Sequence, residues 1–145
     1  MTRTTSQQLG LIIKATQFAA DKHCNQRRKD AEASPYINHP IALASVLANE
    51  GNVDDPVVLC AALLHDTIED TDTTPQELNE TFGSAIVNVV LEVTDDKSLA
   101  KEVRKEEQVR HAPHISTEAK LVKLADKICN LRDILASPPA DWSAE

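Results

Sequence analysis

Apolar positions along the chain recur every three or four residues and are interrupted by proline, glycine and polar turns, a pattern that reads as helix after helix. Leu9, Ile12, Ile13, Thr16 and Ala20 predict a first helix over Thr5–Lys22. The polar stretch Arg27-Arg28-Lys29-Asp30, followed by Ser34-Pro35, reads as a loop. A second helix is expected to start near His39-Pro40, since proline suits the first helical position, and to stop at Gly51. A third begins at Asp54 or Asp55, carries Pro56 in its first turn and runs through Val57-Val58-Leu59-Cys60-Ala61-Ala62-Leu63-Leu64. A helix apolar on every side needs cover on every side, so this segment is the expected centre of the core. Thr74-Pro75-Gln76-Glu77 has the form of a capping box opening a helix that ends at Gly83, and another helix follows over Ser84–Val93. The charged stretch Ser98–Arg110 is less patterned. A last helix spans Thr117–Ala136 and stops before Pro138-Pro139, with Leu121, Leu124, Ile128, Leu131 and Leu135 as the seam expected to face the bundle. The sum is six or seven helices and no strand pair: an all-α bundle forming a single domain over residues 1–145.

Composition narrows the picture without changing it. With 145 residues, 41% apolar and 26% charged, the chain has the make-up of one soluble globular domain. Three glycines and 3% aromatic residues argue against an all-β fold. A formal net charge of −8 speaks against broad nucleic-acid or membrane binding, although a local basic patch or a metal can still attract a small anion. Cys24, Cys60 and Cys129 are scattered and odd in number, which fits reduced thiols read as small core residues. No apolar run reaches the length of a membrane span, and the polar stretch Met1–Gly10 lacks a signal-peptide apolar region, so a cytoplasmic protein is expected.

The densest chemistry is His65-Asp66-Thr67-Ile68-Glu69-Asp70-Thr71-Asp72, directly after the all-apolar helix. Four carboxylates stand there with no Lys or Arg among them, at a helix C-terminus whose dipole already disfavours negative charge. Such a segment either lies solvated as an acidic loop or is held together by a cation, for which His65 is a natural ligand. Asp126 and Asn130, with Asp133 nearly in line, share one face of the last helix, opposite the leucine seam. Periodicity alone makes that face the solvent side. His39 stands at a helix start, where a capping or packed role is the plain alternative to a ligand. His23, His111 and His114 lack supporting context and read as solvated. Arg27-Arg28-Lys29 is either a solubilising loop or a grip for phosphate oxygens.

Taken together, the pieces resemble the HD-domain phosphohydrolases, whose metal site reads H…HD…D: here His39…His65-Asp66…Asp126. The likeness is closer to the (p)ppGpp hydrolase domain of RelA/SpoT proteins, and closer still to its small stand-alone form, the Mesh-type hydrolases. It is carried by Arg27-Arg28-Lys29-Asp30, by Pro35-Tyr36-Ile37-Asn38-His39-Pro40 and by Ala61-Ala62-Leu63-Leu64-His65-Asp66-Thr67-Ile68-Glu69-Asp70-Thr71. Downstream, Glu92-Val93-Thr94-Asp95-Asp96-Lys97 and Lys120-Leu121-Val122-Lys123-Leu124-Ala125-Asp126-Lys127, with Asn130-Leu131-Arg132, continue it in the family's order. The resemblance implies an HD-type helical fold, an Mn²⁺ ion on His39, His65, Asp66 and Asp126, and removal of the 3′-pyrophosphate of (p)ppGpp. It implies Glu69 and Asp70 as the catalytic acidic pair and Arg28, Lys29 and Asn130 as substrate-binding residues, which turns the polar face of the last helix into a cleft wall. One departure from the family stands out: its members usually carry at least one more long helix after the point reached at Glu145. Two other functions remain open on the sequence: phosphohydrolysis of another nucleotide, such as the 2′-phosphate of NADPH, and a truncated domain that binds a nucleotide without turnover.

Overall fold

The computed structural model describes residues 6–27, 34–94, 100–111 and 114–136, and every structural statement below concerns these. Helices α1 (Ser6–Lys22), α2 (Asn38–Ser45), α3 (Pro56–Leu64), α4 (Thr67–Asp70), α5 (Pro75–Phe82), α6 (Ser84–Val93), α7 (Lys101–His111) and α8 (Thr117–Ala136) follow in chain order. Since α4 is a single turn, seven longer helices make up the bundle, within the range the sequence predicts. The only bridge among the described residues is an isolated antiparallel one, Arg27 to Pro35. No helix is long and apolar enough to cross a membrane.

Local chemistry sets the boundaries. The Asp55 side chain accepts from the Val57 amide at 2.9 Å and Pro56 fills the first turn, which starts α3. The Thr74 hydroxyl accepts from the Glu77 amide at 3.1 Å, which starts α5. Gly83 ends α5 and opens α6 with φ 92° and ψ 164°, a backbone region open almost only to glycine. The end of α2 departs from the simple expectation of a stop at Gly51. The helix widens into a π-helical turn, Val46–Glu50, so the Gly51 amide reaches back five residues to the Val46 carbonyl at 2.9 Å. The extra residue per turn shifts the left-handed position one step on, to Asn52 at φ 54°.

Helix α3 is the centre, as its all-apolar sequence predicts. Val58, Leu59, Cys60, Ala61, Ala62, Leu63 and Leu64 are all buried, and α1, α2, α6 and α8 surround it. Each large side chain fully withdrawn from water there contributes roughly 1.5–3 kcal/mol.

Two flanking helices present a different face from the expected one. In α8, Leu124, Leu131 and Leu135 are 58%, 62% and 84% exposed, whereas Ala119, Val122, Ala125 and Cys129 are buried. Ranking apolar positions by size misplaces most of the seam: the small residues let α8 approach α2, α3 and α6 closely, Leu121 and Ile128 are partly buried, and Leu124, Leu131 and Leu135 are left outside. In α1 the inward stripe is Ala15 and Ala19, with Leu11, Ile12 and Phe18 partly buried beside it, while Leu9 and Ile13 are exposed. That stripe runs on to His23, which is buried rather than solvated. Cys24, next to it, is exposed and not a core residue, unlike Cys60 and Cys129. His114 is exposed, as expected.

Candidate metal and catalytic site

Three elements converge at the C-terminal end of α3. His65 is the residue at which α3 stops, and Asp66 precedes the single turn α4. That turn is pinned by hydroxyls: Thr67 Oγ1 donates to the Leu64 carbonyl at 2.7 Å, and Thr71 Oγ1 to the Thr67 carbonyl at 2.5 Å. His39 comes from the first turn of α2 and is buried. Asp126 comes from the middle of α8. It lies one position after buried Ala125 and four after Val122, so it borders the inward stripe rather than the solvent side.

The side-chain tips meet closely. His39 Nε2 lies 2.7 Å from Asp126 Oδ1. His65 Nε2 lies 2.9 Å from Asp66 Oδ2 and 3.6 Å from Asp126 Oδ1. The two imidazole rings are 5.5 Å apart, and His39, His65 and Asp126 each offer a ligand atom within 4.8 Å of the others. His65 Nδ1 is 2.7 Å from the Ala62 carbonyl, which can only accept, so Nδ1 carries the hydrogen. The lone pair of a neutral ring therefore sits on Nε2, aimed at two carboxylate oxygens. That arrangement is repulsive unless Nε2 holds a proton or shares a cation with those oxygens. Two buried imidazole nitrogens and two half-buried carboxylates, converging with one imidazole already oriented by a backbone carbonyl, fit a divalent metal ion.

The electrostatics agree. Burial works against charge on His65, but Asp66 and Asp126 outweigh it and push its pKa up to about 10 in the metal-free chain. Burial would raise the carboxyl of Asp126, yet His39 and His65 hold it well below the usual range, and Asp66 is lowered against burial by His65 and by a hydroxyl donated from Tyr36. Because the His65 pKa lies above its ordinary value, the proton's stabilising contribution is present in full below about pH 6.5 and is lost as pH rises toward about 10. A metal taking Nε2 must expel that proton. Apparent divalent-metal affinity is therefore expected to rise with pH, about tenfold per unit between roughly pH 6 and 8, with about one proton released per ion. Metal titration at three pH values, in buffers of different ionisation enthalpy, checks this.

Beside the metal cluster lies an acidic one. Asp66, Glu69 and Asp70 each offer an oxygen within 4.8 Å of the others, so Asp66 joins the two groups. Asp72, the fourth carboxylate of the segment, turns away to Lys22, 3.2 Å off, and Lys22 also reaches Glu77 at 3.4 Å. The cation that the local sequence lacks is thus supplied by the end of α1 for that one residue. Asn130 follows Asp126 by one turn of α8, about 6 Å along the axis. Arg28 and Lys29 lie outside the described residues, as does Lys97, and the side chain of His111 is likewise not described.

Two residues at this site escape sequence reasoning. The Tyr36 hydroxyl donates to Asp66 Oδ2, and the Tyr36 ring is 4.8 Å from that of His23. His23 has a legible signal, since it stands four residues after Ala19 and eight after Ala15 in one helical row. For Tyr36 only its place three residues before His39 hints at a role.

A family model described as HD domain matches residues 15–144. The chain is 56% identical over 135 residues to guanosine-3′,5′-bis(diphosphate) 3′-pyrophosphohydrolase MESH1 of Danio rerio, covering 93% of this chain and 75% of that one. It is 57% identical over 132 residues to the protein of the same name from Homo sapiens, covering 91% and 74%. A solved structure described as a metazoan ortholog of SpoT that hydrolyzes ppGpp superposes with a TM-score of 0.90 at 43% identity, covering 99% of this chain and 79% of that one.

Proposed function

The chain belongs to the HD-domain family, and from that membership and the geometry of the site we propose that it is a metal-dependent phosphohydrolase that removes the 3′-pyrophosphate of (p)ppGpp. The products are GDP or GTP and pyrophosphate, and the reaction takes place in the cytoplasm. The observation that carries the reading is the convergence of His39, His65 and Asp126, with Asp66 held against His65, at the end of α3. These four hold one divalent ion. The mixed nitrogen and oxygen donors favour Mn²⁺ over thiophilic metals. Such an ion would supply positive charge that polarises the phosphoryl group and makes the attacking water more acidic.

The chain's own residues do the rest. Glu69 and Asp70, fixed on the hydroxyl-pinned turn α4, orient the attacking water, take its proton and return a proton to the departing 3′ ribose oxygen. The oxygen–phosphorus bond to the ribose breaks as the bond from water forms, and pyrophosphate leaves the nucleoside. Asn130, one turn from Asp126, lines the substrate side of the cleft. Arg28 and Lys29 bind the nucleotide, Arg28 through its bidentate fork.

The test is product analysis. Purified protein is incubated with ppGpp and Mn²⁺, with and without EDTA, and the nucleotides are resolved by ion exchange. GDP and pyrophosphate, abolished by EDTA, are expected. Release of inorganic phosphate from NADPH, with ppGpp untouched, would move the substrate to a 2′-phosphomonoester. Mn²⁺ binding with no turnover of either would make the domain a nucleotide binder.

A further inference from the structure

Tyr36 is held on three sides. Its amide donates to the Gln26 carbonyl at 2.9 Å, which ties its backbone to the segment following α1. Its ring neighbours two imidazoles, 4.8 Å from His23 and 6.0 Å from His39. His23 is itself fixed, buried at 2% exposure and paired through Nδ1 with Gln26 Oε1 at 2.7 Å. The hydroxyl at the tip of this clamped ring donates to Asp66 Oδ2, the same oxygen that lies 2.9 Å from His65 Nε2. Asp66 follows a helix end; it belongs to the acidic cluster with Glu69 and Asp70 and touches the other cluster through His65. Its backbone, at φ −102° and ψ 0°, is not part of a regular helix, so the rotamer of its side chain needs an outside restraint.

We propose that Tyr36 is a positioning residue for the metal centre, its hydroxyl fixing the Asp66 carboxylate and His23 buttressing its ring. The inference rests on the metal reading above. A tyrosine hydroxyl suits the task because it neutralises part of the carboxylate's charge by donation without adding a competing cation or ligand. Partners one step removed from a metal typically contribute about 10- to 100-fold in affinity. Tyr36 acts through Asp66 and does not touch the reacting groups.

The experiment uses Tyr36→Phe, which keeps the ring beside His23 and His39 and removes only the hydroxyl. EDTA-stripped wild-type and variant chains are titrated with Mn²⁺, reading free Mn²⁺ by its paramagnetic resonance signal. Thermal unfolding of both is recorded without metal. The expected result is an Mn²⁺ Kd raised about 10- to 100-fold with the metal-free melting temperature within a few degrees of wild type. Turnover should recover at saturating Mn²⁺ with KM for the nucleotide unchanged, which a general loss of packing would not allow. A second variant, His23→Ala, leaves the hydroxyl but removes the buttress and should weaken Mn²⁺ in the same direction by less. A wild-type chain that binds Mn²⁺, with Tyr36→Phe binding it within twofold, overturns the proposal and leaves the metal reading intact. A wild-type chain that binds no divalent ion overturns both.

Discussion

Asp126→Ala is expected to eliminate metal binding and turnover together. Asp126 Oδ1 is the single oxygen that faces both imidazoles, 2.7 Å from His39 Nε2 and 3.6 Å from His65 Nε2. Without it His39 loses its anionic partner, and His65 keeps only Asp66. A divalent ion would then meet two imidazoles and one carboxylate, with half of the compensating charge gone. Loss of a metal's several kcal/mol of charge stabilisation corresponds to about a thousandfold or more in rate. Asp126→Asn separates charge from shape, since the amide retains the oxygen and the volume. It should retain the fold and still lose tight Mn²⁺ binding. The measurement is metal content after gel filtration, set beside single-turnover hydrolysis and a melting curve. A variant that melts normally, binds Mn²⁺ as wild type does and turns over substrate would remove Asp126 from the metal set.

How the site reads from sequence differs residue by residue, for physical reasons. His65-Asp66 and the acids after it are legible because the clash is local: four like charges at a helix C-terminus, beside a fully apolar helix, call either for solvent or for a cation to pair with them. The structure divides that answer between a half-buried cluster and Lys22, which takes Asp72 from fifty positions upstream. Asp126 is not legible by periodicity. Its helix carries two apolar stripes, and the rule that larger side chains face inward selects the wrong one. Close approach to α3 requires Ala119, Val122, Ala125 and Cys129 inside, and only that choice brings a carboxylate on α8 within reach of His65. The motif order, not the physics of one helix, identifies Asp126 in the sequence. His23 fails for a related reason, because an imidazole after the last apolar residue of α1 looks like a helix end dissolving into solvent. The alanine row beneath it continues one turn further than the large apolar residues indicate. Tyr36 needs a third dimension altogether, since its partner stands thirty residues away.

The helical boundaries are more legible than the faces because caps are local chemistry. Thr74 and Asp55 bond the amides that their spacing predicts, and Gly83 takes a backbone region that other residues avoid. Burial depends on which neighbours arrive, and α8 shows that one amphipathic pattern can be satisfied in two ways.

Glu69→Gln is the complementary experiment, expected to retain the metal and lose the chemistry. Glu69 sits on α4, in reach of Asp66 and Asp70 but outside the group of His39, His65 and Asp126. The amide keeps the length of the side chain and its hydrogen-bonding capacity but cannot accept a proton at neutral pH. If Glu69 carries the proton between water and the departing ribose oxygen, kcat should fall by about 10²- to 10⁴-fold. Mn²⁺ affinity should stay within a few-fold, since the four proposed ligands are untouched, and KM should change little. A drop in metal affinity as large as the drop in rate would instead place Glu69 among the ligands. Full activity would transfer the proton step to Asp70 alone, and Asp70→Asn then becomes the variant that must be inactive. The split between rate and metal affinity is what tests the proposed division between the two clusters that Asp66 links, one to hold charge in place and the other to move a proton.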